Sequence, residues 1–223
     1  MSARLPDRTP RAIVFDMDGL MLDTERLDRR LWQEAARVRG LAFPDALHDT
    51  LIGRRARDSE QSLREHFGPD FPLEAVKAEV HAQWLLQAAA GMPRKPGLEA
   101  LLDRLDAAAL PRAVATSTAR ARALLSLGEL APRFDSLSCG DEVVHGKPAP
   151  DIFLLAAQRL DIAPEHCLVL EDSPAGLAAA RAAGMTVILI PDLVRPSQPA
   201  EYECASLDDV RLWLDARLAD RGA

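Results

Sequence analysis

Two carboxylates, Asp16 and Asp18, close an apolar run in AIVFDMDGLMLDT (residues 12–24) and are followed at once by Gly19. Carboxylates this close repel, and each raises the other's proton affinity, unless a cation joins them or they carry out different tasks. A turn or capping role accounts for one such Asp, but not readily for two that flank an apolar Met17. Three other segments carry chemistry that complements the pair. VATST ends in Thr116, Ser117 and Thr118, CLVLEDS ends in Glu171, Asp172 and Ser173, and HGKPAPDIF places Lys147 just ahead of a helix start. Hydroxyls and backbone N–H groups bind phosphate oxygens, a lysine offsets their charge, and an all-oxygen carboxylate set suits Mg2+. Each piece taken alone has a plain structural role: a strand-end cap, a solvated lysine, an acidic pair at a helix N-terminus. Four such segments at one place are better explained by chemistry.

The elements that must position these residues follow from hydrophobic pattern. AIVF (12–15), RAVAT (112–116), CLVL (167–170) and TVILI (186–190) are short, rich in branched aliphatics and do not alternate, as expected of strands buried on both faces. Between them run amphipathic stretches. Leu98, Leu101, Leu102 and Leu105 form one stripe, Pro150 and Asp151 open a helix, Ser173 caps another that Gly184 ends, and SLDDVRLWLDARL is a last helix. Strand and helix in alternation predict an α/β fold, a doubly wound parallel sheet of Rossmann-like type. Ligands of such sheets bind beyond the carboxyl ends of the strands, where all four segments would meet. From Glu25 to Met92 the pattern is helical only, far longer than one crossover needs. Four helices are expected there, on Leu27, Leu31, Ala35 and Val38, on Leu47 and Leu51, on Leu63 and Phe67, and on Leu73, Val76, Val80, Trp84 and Ala88. The predicted organisation is a core of residues 1–24 and 93–223 with an all-helical cap at 25–92, hinged at MPRKPG.

The chain has 223 residues, enough for one large domain with a small insert. A formal charge of −7, from 34 acidic and 27 basic residues, argues against nucleic-acid and anionic-membrane partners. Cys139, Cys167 and Cys204 form no C-x-x-C pair, so neither zinc nor a disulfide framework is expected. MSARLPDRTPR leads into no long apolar stretch and is read as no signal peptide, which points to a cytoplasmic location. The five histidines fit no metal or triad spacing. GDEVVHGKP is not a P-loop, because Pro148 follows Lys147 where Ser or Thr is needed.

FDMDGLMLDTE, ATSTARARALL, GDEVVHGKPAPDIFLLAAQRL and VLEDSPAGLAAARAAGM, in this order, resemble the haloacid dehalogenase-like hydrolase superfamily, in particular its β-phosphoglucomutases and sugar-phosphate phosphatases. The resemblance covers nearly the whole chain, and a helical cap after the first motif is also that family's habit. It implies that Asp16 is a nucleophile forming an aspartyl-phosphate and Asp18 a general acid and base. It further implies that Thr116 and Ser117 hold the phosphoryl group, Lys147 neutralises charge, and Asp16, Asp18, Glu171 and Asp172 provide for Mg2+. Asp18 would offer its backbone carbonyl, and Glu171 would ligate or support. In the cap, Arg54 or Arg55 of LIGRRARDSE is expected to contact substrate. Asp28 stands where the mutases carry a His, Ala56 where they carry an Arg, and no cap lysine matches near Val80. The expectation is therefore a monomeric phosphatase of small phosphorylated metabolites, with a mutase or a non-catalytic phosphosugar binder as alternatives.

Overall fold

Four consecutive apolar residues, Ala12–Phe15, form strand β1, and both of its faces are covered. Ile13 and Phe15 enter one hydrophobic cluster, Ala12 and Val14 another, as the two-residue period of a strand requires. The computed structural model describes residues 5–197 and 199–219. Met1–Arg4 of the N-terminal stretch, and with them the first four residues of the expected core, lie outside the described residues, as do Gln198 and 220–223.

Strands β2 (Arg112–Thr116), β3 (Ser136–Cys139), β4 (Cys167–Glu171), β5 (Thr186–Leu189) and β6 (Tyr202–Glu203) complete a six-stranded sheet in the order β3-β2-β1-β4-β5-β6. Every pairing is parallel. The direction of winding reverses at β1, so the crevice at the ends of β1 and β4 is the switch point where such sheets bind ligands. Helices α5 (Leu98–Ala107), α6 (Arg120–Leu127) and α9 (Leu207–Ala219) supply residues to the cluster on one face, α7 (Asp151–Leu160) and α8 (Pro174–Ala182) to that on the other. Leu98, Leu101, Leu102 and Leu105 are all fully buried. Ser173 caps α8 as predicted, its hydroxyl accepting from the N–H of Gly176 at 3.0 Å.

Helices α1 (Thr24–Arg37), α2 (Asp45–Asp49), α3 (Ala56–Phe67) and α4 (Leu73–Ala90) follow β1. Trp32, Phe43, Leu63, Phe71, Val76 and Val80 form a third cluster of their own. Val38, placed on the α1 stripe by the pattern, lies beyond the helix end and is 63% exposed. Leu27 and Trp84 join the cluster of the sheet instead and tie the insert to it. Among the described residues, no helix is long and apolar enough to cross a membrane. The three cysteines are buried, and burial pushes the Cys139 and Cys204 thiols up to about 12 and that of Cys167 to about 11.

Candidate active site

The register of the sheet brings the acidic segments together. Phe15 pairs with Leu170, and the Asp16 N–H donates to the Leu170 carbonyl at 3.0 Å, so the residue after β1 lies beside the last residue of β4. Lys147, from the segment between β3 and α7, is buried there. Its Nζ donates to Asp16 Oδ1 and, at 2.5 Å, to Glu171 Oε1, and it lies 4.9 Å from the centre of the Phe153 ring. The other Glu171 oxygen accepts from the N–H groups of Asp172 and Ser173, both at 2.9 Å, and from the Ser173 hydroxyl at 3.0 Å. Glu171 thus braces the lysine against the start of α8. Gly176 is needed beneath it, since a Cβ there would lie 1.7 Å from Glu171 Oε1.

Asp18 stands on a tight turn in which the N–H groups of Met21 and Leu22 both donate to the Met17 carbonyl. Its carboxylate accepts from Thr24 Oγ1 at 2.7 Å, Thr118 Oγ1 at 2.8 Å and Thr116 Oγ1 at 3.3 Å. Gly19 serves the same turn with φ +83°, and a Cβ on it would lie 2.1 Å from Asp172 Oδ2. Glycine therefore meets both a backbone and a space requirement at this position.

Asp16, Glu171 and Asp172 each present an oxygen, and these oxygens lie within 4.8 Å of one another. The Asp18 carboxylate is not one of this group; it faces the threonine hydroxyls. Burial, with Glu171 and Asp18 adding to it, pushes Asp16 up to about 8 in spite of Lys147. Burial and then Glu171 and Asp16 drive Asp172 well above the carboxylate range. Burial opposes the charge of Lys147, yet Asp16 and Glu171 outweigh it and keep the ammonium protonated. Three buried carboxylates against one ammonium lack positive charge, and their all-oxygen donor set fits a hard divalent cation such as Mg2+.

Beside this cluster opens a cavity of about 760 Å³ between the sheet end and the helical insert. Arg54 lines it, and among the described residues its guanidinium has no hydrogen-bond or ion-pair partner. Arg55 borders the cavity but is engaged elsewhere: Asp58 holds its Nε at 2.7 Å, and its Nη1 donates to the carbonyls of Val143 and Val144. Arg55 thus also ties the insert to the segment between β3 and α7. Ser117 also meets the insert, its hydroxyl donating to the Gly53 carbonyl at 2.8 Å. Lys77 is paired with Glu60 and, at 3.3 Å, with Glu74.

Four cavity residues were not singled out by sequence reasoning for any role there. Thr24 grips Asp18 and was visible as the last residue of AIVFDMDGLMLDT. Glu25, next along, is driven well above the carboxylate range by burial and then by Asp18 and Asp28. Arg122 pairs with Asp28 at 3.3 Å and stacks 4.2 Å from the Trp84 ring centre. His48 is buried, with Nε2 3.7 Å from Glu25. Arg29 Nε donates to His48 Nδ1 at 3.5 Å, and burial lowers the imidazole to about 4. No spacing signal reveals His48, because its neighbours come from a different helix.

A family model for haloacid dehalogenase-like hydrolases matches residues 10–184. The "Probable pseudouridine-5'-phosphatase" of Drosophila melanogaster is 38% identical over 195 residues, 80% of this chain and 80% of its own. The "Phosphorylated carbohydrates phosphatase" of Thermotoga maritima is 34% identical over 176 residues, 78% of this chain and 82% of its own. The crystal structure of CbbY from Rhodobacter sphaeroides in complex with phosphate superposes with a TM-score of 0.78 at 26% identity, covering 91% of this chain and 96% of that one. The matched region runs from just before β1 to the end of α8 and includes every segment that builds the cluster. The chain belongs to the haloacid dehalogenase-like hydrolase family and is an enzyme of that family.

Proposed function

We propose that the enzyme hydrolyses phosphate monoesters of small sugars and polyols, using Mg2+ and a phosphorylated Asp16. The observation that carries this reading is the meeting of Asp16, Lys147, Glu171 and Asp172 beside an Asp18 held by hydroxyls, at the mouth of one cavity. Relatives named for pseudouridine-5'-phosphate and phosphorylated carbohydrates support the substrate class.

In this mechanism an Asp16 oxygen attacks phosphorus while the bond to the leaving oxygen breaks, and Asp18 gives that oxygen its proton. Asp18 then takes a proton from water, the water oxygen attacks phosphorus, and the Asp16–phosphorus bond breaks to release phosphate. Lys147, the Thr116 hydroxyl and the Ser117 N–H hold the phosphoryl oxygens. Mg2+ would be held by the Asp16 and Asp172 carboxylates with the Asp18 backbone carbonyl, Glu171 bracing them. When bound, it would supply the missing positive charge, favouring ionised Asp16 and stabilising the phosphoryl oxygens. Residues 25–92 would act as a cap over a core of 1–24 and 93–223, with Arg54 reaching the substrate and bulk water excluded on closure.

Hydrolysis is favoured over phosphosugar transfer because Asp28 and Ala56 stand where the mutases carry a His and an Arg, and because Arg122 and Lys77 are engaged by Asp28 and by Glu60 and Glu74, which leaves Arg54 to meet the substrate. The test uses an aryl phosphate with Mg2+. Turnover by the wild type is expected, with Asp16→Asn reduced to background while circular dichroism stays unchanged. Turnover persisting in that variant would identify another nucleophile, and an inert wild type across a panel of phosphate esters would favour a binding protein.

A further inference from the structure

Arg55 precedes α3 in extended conformation, with φ −73° and ψ 149°, and it is buried. Asp58 accepts from its Nε at 2.7 Å and its Nη2 at 3.2 Å, which fixes the plane of the guanidinium. Nη1 is left to cross from the insert and donate to the carbonyls of Val143 at 3.2 Å and Val144 at 3.0 Å. Arg57 adds a bond to the same Val144 carbonyl at 2.6 Å. Those carbonyls lie three and four residues before Lys147, in the segment that joins β3 to α7.

The segment is built to receive this side chain. A Cβ at Gly146 would lie 2.3 Å from Arg55 Nε and 2.9 Å from Cζ, whereas one at Gly140 would first meet the Ser117 carbonyl oxygen at 2.0 Å and only then Arg55 Cγ at 3.1 Å. Gly146 is not among the glycines with positive φ, so its backbone does not demand glycine. The space occupied by Arg55 does.

We infer that Arg55 is a positioning residue for Lys147, fastening the helical insert to the segment that carries the lysine so that docking of the insert and seating of Nζ beside Asp16 occur together. Guanidinium bonds to carbonyls are charge-assisted and directional, so their loss frees Val143–Gly146 as well as the insert. The effect on rate rests on the phosphatase reading; the contact does not.

The experiment compares wild type, Arg55→Ala, Gly146→Ala and the double variant on an aryl phosphate with Mg2+, together with amide hydrogen exchange over residues 143–147. Each single variant is expected to lose about 10²-fold in kcat, the cost of a small misplacement, with KM little changed. The double variant should lose no more than either one, because both remove the same contact. Exchange over 143–147 should speed up in every variant while β1 and β4 stay protected. Losses that multiply, an unchanged kcat, or unchanged exchange would each overturn the assignment. Should Arg55→Ala not fold, Gly146→Ala and Asp58→Asn, read the same way, decide. An inert wild type would defeat the phosphatase reading, and the exchange data would still judge the contact.

Discussion

Asp18 receives three hydroxyls, and they do not hold it equally. Thr24 and Thr118 donate at 2.7 and 2.8 Å, whereas Thr116 stands at 3.3 Å, where a hydroxyl bond is weak. Thr116 Oγ1 also accepts from the Thr118 N–H at 3.0 Å, so it organises the turn after β2 more than it restrains Asp18. Thr24→Val removes one strong restraint and leaves the other. About a tenfold fall in kcat is expected, a fraction of the roughly 10²–10⁴ that a positioned acid and base contribute. Asp18→Asn should lose that whole range. Steady-state kinetics on an aryl phosphate would check both, and a Thr24→Val enzyme as slow as Asp18→Asn would show that Thr24 does more than orient. Part of this was legible in the sequence: the spacing of Asp16, Asp18 and Gly19 implied a paired-acid site at a strand end. The return of Thr24 to Asp18 was not, since it depends on the Met17 turn bringing a residue six positions on back to the carboxylate.

Strands that lie inside the sheet were readable, and those at its edges were not. β1, β2, β4 and β5 each have a strand on both sides, and all but one of their residues are buried. Burial on two faces forces the continuous apolar runs that marked them. β3, with the sequence SLSC, and β6 form the two edges and are only partly buried, so no such run exists to find. Beyond its parallel pairing with β2, β3 is tied down at its end by an ionic cluster. Glu142, just beyond it, accepts from the Cys139 N–H at 2.8 Å, from Arg120 of α6 at 2.9 Å and from Arg159 of α7 at 3.0 Å. Hydrogen bonds from Arg159 lead the causes that hold its carboxyl down at about 2, against the pull of burial. Since the folded value is depressed, this stabilisation is complete above the unfolded carboxylate's value of about 4.3 and is lost as pH falls through about 2. Glu142 is exposed and solvent screens its pairs, so Glu142→Gln should lower the unfolding free energy by only about 1 kcal/mol at pH 7. The gap from wild type should close progressively below about pH 4.3. Urea titrations at pH 7 and pH 3 measure it, and a gap independent of pH would mean that packing, not charge, is at stake.

At the scale of the molecule, the insert joins the sheet through two chain crossings that lie side by side. Leu22 and Arg94 form an antiparallel bridge, the Asp23 N–H donates to the Pro93 carbonyl at 2.9 Å, and the Lys95 N–H donates to that of Met21 at 2.8 Å. Nothing in MPRKPG reveals the residue that anchors this crossing. Asp192, nearly a hundred positions away and just past β5, accepts from Lys95 and from Arg26 of α1, both at 2.7 Å. The Asp192 side chain is 5% exposed, that of Lys95 18% and that of Arg26 50%. The three variants should therefore differ in cost. Arg26→Ala leaves the buried acid its lysine and should cost under about 1 kcal/mol, as an exposed pair does. Lys95→Ala leaves that acid with only a half-exposed arginine and should cost about 3 kcal/mol. For a chain of this size, that loss lowers Tm by about 6–12 °C. Lys95→Met combined with Asp192→Leu removes the charge together with its partner, and should return to within about 1 kcal/mol of wild type. Thermal and urea unfolding of the three variants settle the order, and equal losses for Lys95→Ala and Arg26→Ala would mean that the crossing is held by its backbone pairing and not by the buried acid.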